Sequence, residues 1–198
     1  ERVVVSQLHR SPGVSFEEST HATSGKKIYS VRIIPYRGAW VEFEADPSSG
    51  VLYAYIDRRK KILATVLLRA IGFSTSFDIL SNLYDIERVP SVSRASYKAL
   101  TGKILAQDVK NEADDVIAKA GISIDKALLD MFAERKIEEI FVTTVTHDDE
   151  LIINTLERDP YSTKEEAQLA IYKRLRPGDP PIQESAEDLI TNLFFDSQ

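Results

Sequence analysis

The residues of this chain that could do chemistry are few and scattered. Its three histidines, His9, His21 and His147, lie far apart. "THDDE" (146–150) sets His147 beside three acids, but side chains adjacent in sequence do not converge on one ion as an i, i+4 pair does. A solvated loop that opens the next helix accounts for the same letters. "KNEADD" (110–115) lacks the glycine and the terminal glutamate of a calcium loop and reads as a turn between strands. No phosphate-cradling glycine loop, nucleophile elbow or zinc motif occurs. The sequence therefore carries no expected catalytic residue and no expected metal ligand set.

What remains is a basic cluster with an aromatic beside it. Trp40 is the sole tryptophan, and "RGAW" puts Arg37 just before it. "GAWVEFEAD" alternates, with Val41, Phe43 and Ala45 on one face and Trp40, Glu42 and Glu44 on the other. "PSSG" (47–50) supplies a turn, and "VLYAYID" returns with the same period. A hairpin turning there makes Trp40 and Asp57 cross-strand neighbours, next to Arg58 and Arg59. An exposed indole beside Arg and Asp can stack a base, contact phosphate and accept from a base edge. The alternative is that Trp40 packs on a neighbouring domain while the cations form a solvated rim.

The next segment sharpens that choice. In "YIDRRKKILATVLLRAIG" (55–72), Ile62, Leu63, Val66, Leu67, Ala70 and Ile71 fall on one helical face. That pattern starts a helix around 62, with Arg58, Arg59, Lys60 and Lys61 at its positive end. Cations there are unfavourable by ~0.3–1 kcal/mol each. A bound phosphate reverses the sign, because dipole, free N–H groups and side chains then favour the same anion.

Charge and composition bound the class. The 198 residues are 43% hydrophobic and 28% charged, the profile of a globular chain. No apolar run approaches the ~18 residues of a membrane span, and there is no secretory leader pattern. Cysteine is absent, which fits a cytoplasmic protein. The net charge of −6 is uneven. Residues 1–90 hold 12 Lys and Arg against 10 acids, and residues 91–198 hold 13 against 21. A polyanion should dock on the first half. The lone Met131 and an opening directly on "ERVVVSQL" suggest a piece of a longer polypeptide.

The elements that must position the cluster follow from periodicity. "RVVVSQL" and "KIYSVRIIP" read as strands, and "TSFD" (75–78) caps a short helix running to about Tyr84. Residues 88–101 lose periodicity and read as a linker. "GKILAQDV", "DVIAKAG", "ISIDKALLDMFAERK" and "IEEIFVTTV" give strand, strand, helix, strand, a compact block inserted in the first domain. Three helices follow, at about 149–157, at 163–175 opened by "TKEE", and at 184–195 opened by "SAED". The fold class is α+β: an antiparallel sheet with packed helices, plus a small inserted α/β sandwich-barrel-like domain. The expected domains are 1–88 with 150–198, discontinuous, and 89–149 between them.

Four stretches carry a resemblance. "VVVSQLHRSPGV", "RIIPYRGAWVEFE", "YIDRRKKILATVLLRAIG" and "RLRPGDPP…NLFFD" resemble, in order, segments of the beta subunit of bacterial DNA-directed RNA polymerase. The region they resemble is the lobe, one wall of the cleft that admits downstream DNA. That subunit carries lineage-specific insertions in the lobe, and residues 88–150 look like one, of the beta–beta-prime module kind. The resemblance implies a non-catalytic, DNA-facing part of a nucleotidyltransferase. It implies that Arg10, Trp40, Asp57, Arg58 and Arg59 face the non-template strand near the start of the downstream duplex, with Arg176 at the same rim. Gln7 and Val5 match the N-terminal contributor to the rifamycin pocket. No cofactor is implied for this fragment, since the magnesium of the whole enzyme is held by the partner subunit. Implied partners are DNA, the beta-prime, alpha and sigma subunits, and transcription factors at the insertion. The implied location is the cytoplasm, at the nucleoid. The other function class is a protein-interaction module, in which the inserted segment recruits factors and the basic face merely docks on the enzyme.

Overall fold

The structure is a computed structural model that describes residues 2–5, 11–22, 25–58, 60–145 and 150–195. A five-stranded antiparallel sheet runs in sequence order: β1 (Gly13–Thr20), β2 (Lys27–Ile34), β3 (Val41–Asp46), β4 (Val51–Ile56) and β5 (Lys60–Leu63). The β3–β4 hairpin has the expected register, with Val41 opposite Ile56 and Asp46 opposite Val51. Its turn is closed by Asp46, whose carboxylate accepts from the Ser48 N–H at 2.8 Å and the Ser49 hydroxyl at 2.9 Å. Those bonds, the backbone one first, hold the Asp46 carboxyl below its ordinary value. Gly50 takes the left-handed conformation (φ 64°) that ends the turn.

Helices cover one face of this sheet. α1 (Ala64–Ile71) lies against α6 (Lys164–Leu175), which packs on α7 (Gln183–Phe194). Ala64, Ala70 and Ala167 are fully buried, and such small side chains let the helices approach closely. Val41, Ala54 and Ile56 of the sheet complete the cluster with Val66, Leu67, Ile171 and Ile190. At one end of α1 sits a buried ion pair. The Arg69 Nε donates to Asp159 at 2.9 Å, and Arg69 also donates to the Ser74 carbonyl and the Ser76 hydroxyl, both at 2.8 Å. Both side chains are essentially inaccessible, at 2% and 0%.

α2 (Ser76–Leu83) opens on the expected capping box, with Thr75 and Asp78 bonded reciprocally. The chain then enters a second sheet, ordered β6 (Ile86–Val89), β10 (Ile140–Thr143), β7 (Ile104–Leu105). A two-stranded ribbon of β8 (Val109–Lys110) and β9 (Val116–Ala118) accompanies it. α4 (Lys126–Glu134) buries Leu129 and Phe132 against Leu105, Ile124, Ile140 and Val142. A third cluster joins Ile79 and Leu80 of α2 to Ala106 and to Ile153 and Leu156 of α5 (Leu151–Glu157). The protein is thus α+β, and among the described residues its sheets do not close into a barrel.

Four expectations change. Residues 2–5 form no strand, and the sheet begins instead at Gly13, on a strand exposed along its whole length. The stretch read as a linker holds the end of β6, a 3-10 turn at 94–96 and the short α3 (Tyr97–Leu100). β6 pairs along its full length with β10, so hydrogen bonding rather than periodicity orders that segment. α7 starts at Gln183, which places Ser185 inside the helix instead of at its cap.

The fourth change bears on function. α1 begins at Ala64, with Leu63 as its N-cap, and Ala64, Thr65 and Val66 are buried. Lys60 and Lys61 belong to β5, and Arg58 lies in the turn before it. Ile62 and Leu63 fit the helical face by spacing, yet they are the last strand residues before the helix. The cations are therefore not gathered at a helix N-terminus, and the dipole argument for anion binding there fails.

Candidate nucleic-acid interface

The cluster sits at the open end of the β3–β4 hairpin, where three chain segments meet. Trp40 precedes β3, and Asp57 follows β4 as its cross-strand neighbour. The Asp57 N–H donates to the Trp40 carbonyl at 3.0 Å, and the Asp57 Oδ1 accepts from the Trp40 N–H at 2.9 Å. One residue thus clasps both polar groups of the tryptophan backbone. Asp57 and Arg58 both adopt left-handed backbone (φ 49° and 58°), a conformation that asparagine and aspartate tolerate and arginine seldom does. Strain of this kind persists where surrounding contacts over-determine it. At Asp57 the two bonds to Trp40 do so.

The turn aims Arg58 at the indole. Its guanidinium carbon lies 5.6 Å from the ring centroid of Trp40, within cation–π range. Its Nε is 3.9 Å from the Glu42 Oε2, an ion pair too long for a hydrogen bond. The same Glu42 oxygen accepts from the Arg32 Nε at 3.0 Å, and Arg32 bonds Glu17 at 3.0 and 3.4 Å. Trp40 is half-buried, neither sunk in the interior nor fully exposed.

Behind the turn, Asp57, Lys60 and Arg176 line one hollow of about 320 Å³, floored by Leu175, Leu189 and Leu193. Arg176 ends α6 and lies 3.8 Å from Asp179 across the "RPGD" turn, with both side chains largely exposed. Lys61, the next residue in β5, emerges on the other sheet face and sits 3.7 Å over the Tyr53 ring. Among the described residues no group of three or more His, Asp or Glu converges as metal ligands do.

A family model described as RNA polymerase Rpb2, domain 2, matches residues 10–120. The chain belongs to that family. Beta subunits of DNA-directed RNA polymerase from Flavobacterium psychrophilum and Christiangramia forsetii are 40% and 42% identical over 218 residues, each covering 100% of this chain. The beta subunit of Chlamydia felis is 40% identical over 200 residues and covers 99%. The chain spans 16–17% of the length of these curated relatives. Together the matches support a fragment of the bacterial polymerase beta subunit, and they run through 89–149 as well as its flanks.

Of the residues expected at the site, Trp40 and Asp57 are hydrogen-bonded, Arg58 lies over the indole, and Arg176 lines the hollow behind Asp57. Gln7, Arg10, Arg59 and His147 lie outside the described residues. Val5 is 91% exposed. Sequence reasoning missed three positioning residues. Glu42 and Arg32 hold the charge network beside the indole. Gly38 (φ 107°) lets the "RGAW" segment lie on α7, where an added Cβ would stand 3.0 Å from the Leu193 carbonyl. The signal for Gly38 was a glycine two residues before the sole tryptophan; for Arg32 it was a cation inside a strand opposite Glu42.

Proposed function

We propose that this beta-subunit fragment is the lobe face that touches DNA during templated transcription, without itself being catalytic. Its lobe unit comprises 1–88 and 150–198, interrupted by 89–149. The observation that carries the reading is a half-buried indole, its backbone held by Asp57, with the half-exposed, left-handed Arg58 lying over its ring. Trp40 stacks on an unpaired base of the non-template strand, and Arg58 meets an adjacent phosphate. Arg176 and Lys60 continue the positive rim toward the downstream duplex, and Arg10 and Arg59 belong to the same set. Asp57 acts chiefly by positioning, because one carboxylate oxygen is already taken by the Trp40 N–H. Val5 and Gln7 serve the rifamycin pocket together with other segments of the subunit. The fragment works beside the beta-prime, alpha and sigma subunits, in the cytoplasm at the nucleoid.

The test is the salt dependence of DNA affinity in polymerase assembled with an Arg58→Ala beta subunit. Loss of one phosphate contact flattens the slope of log K against log salt by about 0.7–0.9. An unchanged slope rules the phosphate role out.

A second reading has its own observation. In the inserted segment, residues 107–113 and 135–141 face each other across a hollow of about 660 Å³, with Val109, Ile137 and Phe141 among its lining. A transcription factor docking there is blocked by Ile137→Arg, with promoter opening unaffected. Loss of promoter opening in that variant argues against it.

A further inference from the structure

Arg58 is not idle in the absence of DNA: it already has a carboxylate, and that carboxylate has another arginine. We infer that Glu42 is an exchangeable counter-ion, which parks Arg58 against Trp40 until a nucleic-acid phosphate takes its place. This rests on the DNA-facing reading and adds to it a residue that sets how much of the Arg58 charge is available.

The geometry separates the two arginines that share the Glu42 Oε2. Arg32 makes the hydrogen bond at 3.0 Å, and its side chain is only 16% exposed. Two further bonds from its other nitrogens reach Glu17, so Arg32 is held from both sides. Glu17 on β1, Arg32 on β2 and Glu42 on β3 form a fixed line across three strands. Arg58 stands at the end of that line, 3.9 Å from Glu42 and 47% exposed. It has an ion pair without a hydrogen bond, and a cation–π contact at 5.6 Å.

These differences make departure cheap. Breaking a buried pair is costly because it leaves one charge uncompensated. When Arg58 leaves, Glu42 keeps Arg32, and Arg58 trades a long, partly screened contact for a phosphate with stronger acceptors. The departing guanidinium also uncovers indole surface for a base. Arg58 release and base stacking are thus coupled through one carboxylate. The cost of the arrangement is that Glu42 competes with DNA at all times.

A double-mutant cycle in assembled polymerase reads this directly, using DNA with an unpaired non-template segment joined to a downstream duplex. Glu42→Gln is expected to tighten DNA binding by about threefold, and Arg58→Ala to cost about threefold more in that background than in the parent. Glu42→Asp retains the charge and the neighbourhood of Arg32 but withdraws the carboxylate from Arg58, so it is expected to show the same coupling. Independent, multiplying effects overturn the exchange while leaving the DNA role of Arg58 intact. Coupling in Glu42→Gln but none in Glu42→Asp also overturns it, since net charge alone then accounts for the gain. No effect of Arg58→Ala in any background overturns the exchange and the DNA-facing reading together. Fluorescence of this 198-residue chain gives an independent arm, because Trp40 is its only tryptophan. Glu42→Gln is expected to move Trp40 emission in the direction of Arg58→Ala, with the double variant adding nothing; additive shifts contradict a Glu42 that acts through Arg58.

Discussion

Two arginine–carboxylate pairs in this molecule use the same chemistry to opposite ends. Arg69 and Asp159 are buried, 2.9 Å apart, with each remaining guanidinium nitrogen bonded to Ser74 or Ser76 and the second carboxylate oxygen taken by the Tyr161 N–H. Arg58 and Glu42 are 3.9 Å apart at the surface, and among the described residues Arg58 has the indole face besides. The first pair ties α1, the start of α2 and the segment before α6 together through four hydrogen bonds. In the second, the 3.9 Å separation leaves the Arg58 donors without a hydrogen bond to Glu42. Among arginines near carboxylates, the incompletely satisfied one is the better indicator of a ligand.

Removing one member of each pair gives the sharpest contrast. Asp159→Ala is expected to destabilise the fold by about 3–5 kcal/mol, because it leaves a buried guanidinium charge unpaired. Urea unfolding of the chain reads this, and a loss below about 1 kcal/mol would break the comparison. Gly38→Ala comes next. Its positive φ and the close Leu193 carbonyl predict a loss on the order of 1–3 kcal/mol, with a shifted Trp40 emission because the same segment carries the indole. Arg58→Ala is expected to change stability by no more than about 1 kcal/mol in either direction, as for exposed pairs, despite its effect on DNA.

The smallest effect is a pH dependence on the polar sheet face. Burial first, and then Glu44, push the Tyr55 hydroxyl up to about 12. Its unfolded value is about 10. The folded state thus favours the protonated phenol, a contribution fully present below pH ~10 and lost as pH rises through ~12. Stability should fall across that alkaline window, and Tyr55→Phe should lessen the fall. An equal fall in both proteins would show that Tyr55 is not its source.

Local chemistry was legible in the sequence where it sits within a few residues. The β3–β4 register followed from a four-residue turn, and the caps at Thr75 and Thr163 followed from residues three apart. The pairing of Trp40 with Asp57 came from that register. What failed was the joint between β5 and α1, since Ile62 and Leu63 satisfy both periods and only strand pairing to Tyr53 and Ala54 decides between them. β1 escaped notice because all eight of its residues are exposed, so burial never shaped its pattern. Arg69 and Asp159 are 90 residues apart, and no spacing rule joins them. The available clue was an arginine between Leu68 and Ala70 on a helix apolar but for Thr65, where a charge is almost never buried without a partner.

The central claim is that Trp40 offers its ring to an unpaired base, and base removal tests it most directly. Polymerase assembled with parent or Trp40→Ala beta subunit is titrated with DNAs whose non-template strand lacks one base at successive positions. At a single position the parent should lose about 1–3 kcal/mol of affinity, and the variant nothing further. Equal losses in both proteins at every position, with Trp40→Ala altering only the unfolding midpoint of the chain, would contradict the account.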